Sequence, residues 1–76
     1  MTTATSLHQA LIAFQVPAAD ITDAATLTEL GLDSLAVVEL IDTLAAELDR
    51  PLADDTLHPA MTVAEAIAAL ERGGTA

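Results

Sequence analysis

Apolar residues recur along this chain at helical intervals, and no strand-like alternation competes with that pattern. The first apolar face predicts a helix from about Leu7 to Gln15. Ser6 and Gln9 form a candidate capping box at its start. Val16-Pro17 ends it, because proline disfavours helical geometry in the preceding residue. The residues on this apolar face are Leu7, Ala10, Leu11 and Phe14.

A second and longer apolar stripe predicts a helix from about Leu35 to Asp49. Between the two helices, the segment from Pro17 to about Asp33 has apolar residues too sparse for a long helix. We interpret them as anchors that hold a loop on the core, and a loop this long in a short chain is often functional. The stripe consists of Val37, Leu40, Ile41, Leu44 and Leu48, and the anchors are Ile21, Leu27, Leu30 and Leu32.

The last third of the chain predicts one short and one longer helix. A single turn of helix fits from Leu52 to about Leu57, between two proline-containing pairs. The last helix opens with the capping box Thr62-Val63-Ala64-Glu65 and ends near Gly73-Gly74. The expected fold is all-α: a four-helix bundle with a long first loop and a short third helix, in a single domain over residues 1–76.

Composition and charge narrow the possible functions. A chain of 76 residues buries only about 60% of its unfolded surface, which leaves no room for a deep catalytic cavity. Its net charge of -10 should repel nucleic acids and anionic membranes and attract basic protein surfaces. The absence of cysteine excludes disulfides and zinc-thiolate sites. Without a long apolar run or a basic leader, we expect a cytoplasmic protein.

Ser34 is the first candidate for chemistry, because it stands where a glycine turn meets the second predicted helix. Gly31 and Asp33 precede it, so its hydroxyl should lie at a helix N-terminus. Unpaired N–H groups and the helix dipole favour an attached phosphate there. Two arrangements remain open: Ser34 could itself be the helix cap, or Asp33 could be the cap and leave the Ser34 hydroxyl free.

Other kinds of chemistry have weak support in the sequence. A catalytic serine needs a base and an oxyanion hole, and His8 and His58 lie in separate elements with no elbow motif. Asp54, Asp55 and His58 lack the alternating acids and central glycine of an EF-hand loop. We therefore expect neither hydrolysis nor a metal site.

The face of the second helix opposite the apolar stripe is a candidate partner-binding surface. It places Leu35 and Val38 among acidic residues and close to Ser34. An apolar centre with an acidic rim suits protein docking, although singly exposed apolar residues are also ordinary on protein surfaces. The whole face consists of Leu35, Val38, Glu39, Asp42, Ala46 and Asp49.

The string Leu30-Gly31-Leu32-Asp33-Ser34-Leu35, continued by Val38-Glu39-Leu40, resembles the phosphopantetheine attachment motif of acyl carrier proteins. The resemblance extends over nearly the whole chain, since the four-helix layout, the long first loop, the short third helix and the Thr62-Val63 opening of the last helix also match in order and spacing. It implies that a phosphopantetheinyl transferase attaches 4'-phosphopantetheine from coenzyme A to Ser34, flanked by Asp33. The thiol of this cofactor would then carry acyl groups as thioesters. The chain would be a carrier acted on by enzymes and not itself an enzyme.

The resemblance also implies which surface the partners use. A ketosynthase, acyltransferase or other acyl-processing enzyme would use a basic surface of its own to dock on the attachment helix of this chain. The docking residues would be Leu35, Val38, Glu39 and Asp42.

The pathway is less closely defined than the carrier role. Ala36, Ala45 and Ala46 stand where carriers of primary fatty acid synthesis often have acids, which favours a specialised pathway such as polyketide assembly. The alternatives are a primary fatty acid carrier, a peptidyl or aryl carrier, and an acidic helical adaptor in which Ser34 is only a cap. Gly31-Leu32-Asp33 fits the acyl type better than the peptidyl type. Met1 and the lack of linkers favour a free-standing chain, with a domain excised from a larger synthase as the alternative. We expect a monomer.

Overall fold

A computed structural model describes residues 2–73, and the backbone forms three α-helices in this range. Helix α1 spans Thr3–Ala13, α2 spans Ser34–Leu48 and α3 spans Val63–Gly73. A short 3-10 helix, Ala18–Asp20, lies in the long loop between α1 and α2. Within the described range there is no strand beyond one isolated bridge. The predicted all-α, acyl-carrier-like fold is confirmed.

A single apolar core joins the three helices and the two connecting segments. The predicted stripe of α2 is buried from Val37 to Leu44, and Leu48 is half-buried. The loop anchors Leu27 and Leu32 also lie in the core. The buried apolar residues are Leu7, Ala10, Leu11, Val16, Leu27, Leu32, Val37, Leu40, Ile41, Leu44, Leu57, Val63, Ala66, Ala69 and Leu70.

Helix α1 begins one turn earlier than the apolar pattern predicts. Its N-cap is Thr2, whose Oγ1 accepts a hydrogen bond from the Thr5 N–H at 3.1 Å. Ser6 lies inside the helix and is only 2% exposed, so the capping box with Gln9 is wrong. The extra turn carries threonines and alanine, which have no apolar spacing to reveal it.

The end of α1 is also earlier than predicted, because the chain turns at Gln15. Gln15 has a left-handed backbone, with φ of 69°. The Val16 N–H donates to the Leu11 carbonyl at 3.1 Å and the Gln15 N–H donates to the Ile12 carbonyl at 2.9 Å. This Schellman pattern satisfies the last carbonyls and turns Val16 into the core. Helix α2 ends in the same way at Asp49, with φ of 53°.

The short third helix predicted between Leu52 and Leu57 does not form in the described structure. The segment makes a turn in which the Thr56 N–H and Oγ1 both donate to the Ala53 carbonyl, at 3.0 and 2.7 Å. Prolines on both sides limit the segment to a few residues, and the hydrogen bonds of so short a helix do not offset the free-energy cost of its nucleation. Leu57 is buried and Leu52 packs against the core, so the segment is held by side chains instead.

Helix α3 begins with the predicted capping box. The Thr62 N–H donates to Glu65 Oε1 at 2.9 Å, and the Glu65 N–H donates to Thr62 Oγ1 at 3.2 Å. Near its other end, the Arg50 guanidinium donates to the Leu70 carbonyl and so ties the end of α2 to α3. Helix α3 continues through Gly73, the last described residue, and the predicted stop at Gly73-Gly74 stays a prediction because Gly74 lies outside the described residues.

The part of the chain that is described contains no candidate membrane-spanning helix. None of the helices between residues 2 and 73 combines the length and the apolar character needed to cross a bilayer.

Candidate functional site

The chain approaches α2 through one helical turn, at residues 26–31, that begins with its own capping box. The Thr26 N–H donates to Glu29 Oε1 at 2.8 Å, and the Glu29 N–H donates to Thr26 Oγ1 at 3.1 Å. This box is not among the elements predicted from the sequence. Its signal, threonine followed three residues later by glutamate, is the same as that of Thr62 and Glu65 and could have revealed it.

Gly31 closes this turn with a left-handed backbone, at φ of 90°. The Leu32 N–H donates to the Leu27 carbonyl at 3.0 Å, and the Gly31 N–H donates to the Thr28 carbonyl at 2.9 Å. The two leucines that the pattern brings together are both buried. A Cβ built on Gly31 meets no atom within 4 Å, so the backbone angle, and not crowding, requires glycine here.

The same turn is fastened to the segment that leads into α3. The Leu27 N–H donates to the Met61 carbonyl at 2.9 Å. The Thr28 N–H and the Thr28 Oγ1 both donate to the Pro59 carbonyl, each at 2.9 Å. These bonds and the buried leucines fix the loop in front of α2, so the first residues of that helix have a defined position.

Asp33 is the N-cap of α2, which decides between the two arrangements that the sequence left open. Its backbone is extended, and its Oδ1 accepts a hydrogen bond from the Ala36 N–H at 2.8 Å. Its carbonyl accepts the first helical bond, from the Val37 N–H at 2.9 Å. Ser34 is therefore the first residue of the helix and not its cap.

The Ser34 side chain is exposed, and its hydroxyl makes no hydrogen bond to any residue from 2 to 73. The backbone N–H groups of Ser34 and Leu35 likewise have no partner in that range. Two open donors and the positive end of the helix dipole thus surround a free hydroxyl. This setting favours a negatively charged group on the Ser34 oxygen.

The two histidines are not partners of Ser34. His8 is half-buried on α1, and His58 is exposed in the turn before Pro59. Within the described residues, neither histidine makes a hydrogen bond to the Ser34 hydroxyl. In the same range, no group of three or more His, Cys, Asp or Glu side chains is placed to hold a metal ion.

The outer face of α2 presents apolar and acidic side chains next to the serine. Leu35 is 68% exposed and Val38 is 38% exposed, and Glu39 and Asp42 are exposed beside them. We call these four residues the outer patch. Val38 and Asp42 follow Ser34 at intervals of four residues, so they share its side of the helix.

A shallow depression of about 580 Å³ lies beside the loop, and it is open to solvent. It is lined mainly by small and polar residues from the first part of the loop and by the turn before Gly31. The lining residues are Ala19, Asp20, Thr22, Ala24, Ala25, Glu29 and Leu30.

The family model described as PP-binding, phosphopantetheine attachment site, matches residues 12–70. This match covers most of the chain and includes the whole of α2, so the chain belongs to the phosphopantetheine attachment-site family. Domains of this family bear a covalent 4'-phosphopantetheine group and serve as carriers. Such carriers interact with a phosphopantetheinyl transferase and with acyl-processing enzymes. Comparison with curated proteins gives no match, and comparison with solved structures gives none either.

The residues at the start of α2 fit a covalent phosphodiester. The exposed oxygen of Ser34 has space for a bulky substituent, and the N–H groups of Ser34 and Leu35 are open to an anion. The Asp33 carboxylate engages the Ala36 N–H, so the cap leaves the hydroxyl available.

Gly31→Ala should destabilise the fold by about 1–2 kcal/mol, because an L residue pays for a left-handed backbone. Gly31→Asn should lose clearly less, because asparagine visits that conformation more readily. The Cβ atom that both variants add meets no atom within 4 Å, so urea unfolding of the two variants compares their backbone preferences. Equal losses in the two variants would contradict the left-handed requirement.

Proposed function

We propose that Ser34 carries the 4'-phosphopantetheine group and that residues 1–76 form a single acyl carrier. The observation that carries this proposal is the free, exposed hydroxyl on the first residue of α2, within the matched range 12–70. The chain holds acyl intermediates as thioesters and presents them to biosynthetic enzymes.

The attachment step forms a bond between the Ser34 oxygen and the pantetheine phosphorus of coenzyme A. The phosphoanhydride bond of coenzyme A breaks, adenosine 3',5'-bisphosphate leaves, and the hydroxyl proton passes to a base of the transferase. The N–H groups of Ser34 and Leu35, which have no partner among the described residues, would be available to hold the resulting phosphodiester. Once attached, the group supplies the thiol for thioester formation, which suits a chain without cysteine.

The chain holds and presents its cargo and does not catalyse a reaction of its own. The Ser34 hydroxyl is exposed and has no hydrogen bond in the described range, which suits modification by another protein. This supports a role as a carrier and not as a catalyst. The base and the orienting groups then belong to the transferase.

Partner enzymes dock on the outer patch. Leu35 and Val38 form its apolar centre, and Glu39 and Asp42 supply negative charge at its rim. A net charge of -10 attracts basic partner surfaces and orients them before contact. Because the patch starts beside Ser34, docking there brings a partner's active site to the attached arm.

We place the carrier in a polyketide-type pathway. Ala36, Ala45 and Ala46 replace acids that are common along the attachment helix of primary fatty acid carriers. Ala46 is exposed and the other two are half-buried, and the exposed acids along α2 and its C-cap are Glu39, Asp42, Glu47 and Asp49. This sparser charge supports a partner set different from that of primary fatty acid synthesis.

Cargo loading tests the pathway. After phosphopantetheine attachment, we expect an acyltransferase of a polyketide pathway to load the chain and its ketosynthase to extend the product, as measured by intact mass. Efficient loading with an amino acid by an adenylating enzyme would instead identify a peptidyl carrier. Selective extension by primary fatty acid enzymes would also overturn the polyketide assignment.

Ser34→Ala should abolish attachment altogether. The measurement is the intact mass after incubation with coenzyme A and a promiscuous phosphopantetheinyl transferase, and the unaltered chain should gain one phosphopantetheine. Ser6→Ala is the matched control, because Ser6 is the other serine of the chain and is buried inside α1. Persistent attachment in Ser34→Ala, or none in the unaltered chain, would contradict the assignment.

Val38→Asp and Glu39→Lys should each lower the kcat/KM of a partner enzyme by about fivefold, or about 1 kcal/mol. The first removes apolar contact and the second reverses a rim charge, and both side chains are exposed, so circular dichroism should show unchanged helicity. Glu71→Lys is the matched control, an exposed charge reversal on α3. Unchanged kinetics with all cognate enzymes would remove the outer patch as a docking surface.

A further inference from the structure

We propose that Asp33 is a positioning residue that keeps the Ser34 hydroxyl available by occupying the helix cap itself. This inference rests on the proposed attachment at Ser34. It assigns to Asp33 a role in the reactivity of its neighbour, through backbone hydrogen bonding and not through contact with the transferred group.

Two adjacent side chains compete for one position at the start of α2. Among residues 33–37, only Asp33 and Ser34 have a side-chain oxygen. Aspartate and serine are about equally good N-cap residues, so their intrinsic preferences do not decide the outcome. In the structure, Asp33 accepts the Ala36 N–H at 2.8 Å, and Ser34 is left as the first helical residue.

Removal of the Asp33 carboxylate leaves Ser34 as the nearest side chain able to cap the helix. The helix would then begin one residue later, and Ser34 would take the extended backbone of an N-cap. The Val37 N–H now donates to the Asp33 carbonyl at 2.9 Å. It would then donate to the side-chain oxygen of Ser34 instead. An oxygen that accepts such a bond is held in one rotamer and is less available for phosphoryl transfer.

Charge recognition is the competing explanation for any effect of Asp33, and two substitutions separate it from capping. Asp33→Asn keeps a strong N-cap and loses the charge, whereas Asp33→Glu keeps the charge and loses a favoured N-cap residue. If capping is what matters, the asparagine variant is modified normally and the glutamate variant behaves like Asp33→Ala.

The experiment measures the initial rate of phosphopantetheine transfer to the full chain at fixed coenzyme A and transferase concentrations. We expect Asp33→Asn to remain within about twofold of the unaltered chain. Asp33→Ala and Asp33→Glu should be about fivefold slower, because only the fraction with a free hydroxyl reacts. Asp55→Ala is the matched control, since it removes an exposed aspartate outside the helices and should not change the rate.

A second readout follows the cap directly in the unmodified variants. Carbon chemical shifts of Ser34 should stay helical in the unaltered chain and in Asp33→Asn, and should move toward extended values in Asp33→Ala and Asp33→Glu. The Ala36 amide should exchange faster with solvent wherever its bond to residue 33 is lost. These changes need no transferase, so they separate cap position from enzyme recognition.

The inference is overturned if Asp33→Asn is as slow as Asp33→Ala while Asp33→Glu reacts normally, because charge then explains the effect. It is also overturned if Ser34 keeps helical chemical shifts in every variant. These outcomes are distinct from failure of the proposed function, in which the unaltered chain gains no phosphopantetheine or gains it at a residue other than Ser34.

Discussion

The position of Ser34 depends on the left-handed backbone of Gly31 between two buried leucines. Leu27 precedes this glycine in the sequence and Leu32 follows it, and both side chains are buried in the core. The φ of 90° at Gly31 lets the chain reverse direction between them. With Leu32 fixed, Asp33 follows in an extended conformation and meets the first turn of α2 as its cap. The chain reversal at Gly31, the burial of Leu32 and the helix cap at Asp33 therefore leave the next residue, Ser34, exposed to solvent.

Helix α2 performs two tasks with its two faces. A helix of this length is marginal in isolation, so burial of the stripe from Val37 to Leu44 provides most of its stability. Because that face satisfies the core, the opposite face is free to keep Leu35 and Val38 in water, where a partner can cover them. Stability and the proposed partner recognition thus use different positions of the same 15-residue element.

The sequence predicted α2 and α3 closely because both have a strong apolar stripe and a recognisable start. It missed the first turn of α1 because that turn is polar or small and leaves no periodic signal. It wrongly predicted a helix between the prolines at 51 and 59. This segment has no helical hydrogen bonding and is held by Leu57, which is buried, and by Leu52, which packs against the core. The choice between Asp33 and Ser34 as the cap could not be made from residue preference, because aspartate and serine cap helices about equally well and the apolar pattern does not fix the first residue of α2.

The hydrogen bonds from the turn before Ser34 to the entrance of α3 also constrain the order of events during protein synthesis. Thr28 bonds to Pro59, 31 residues later, and Val63 bonds back to Ala25. The ribosome completes Ser34 well before it makes these downstream partners, so the nascent chain at first lacks the contacts that hold the serine in place. The arrangement around Ser34 is therefore completed only after the segment leading into the last helix has emerged, so the proposed attachment would meet its finished site only from that point of synthesis onward.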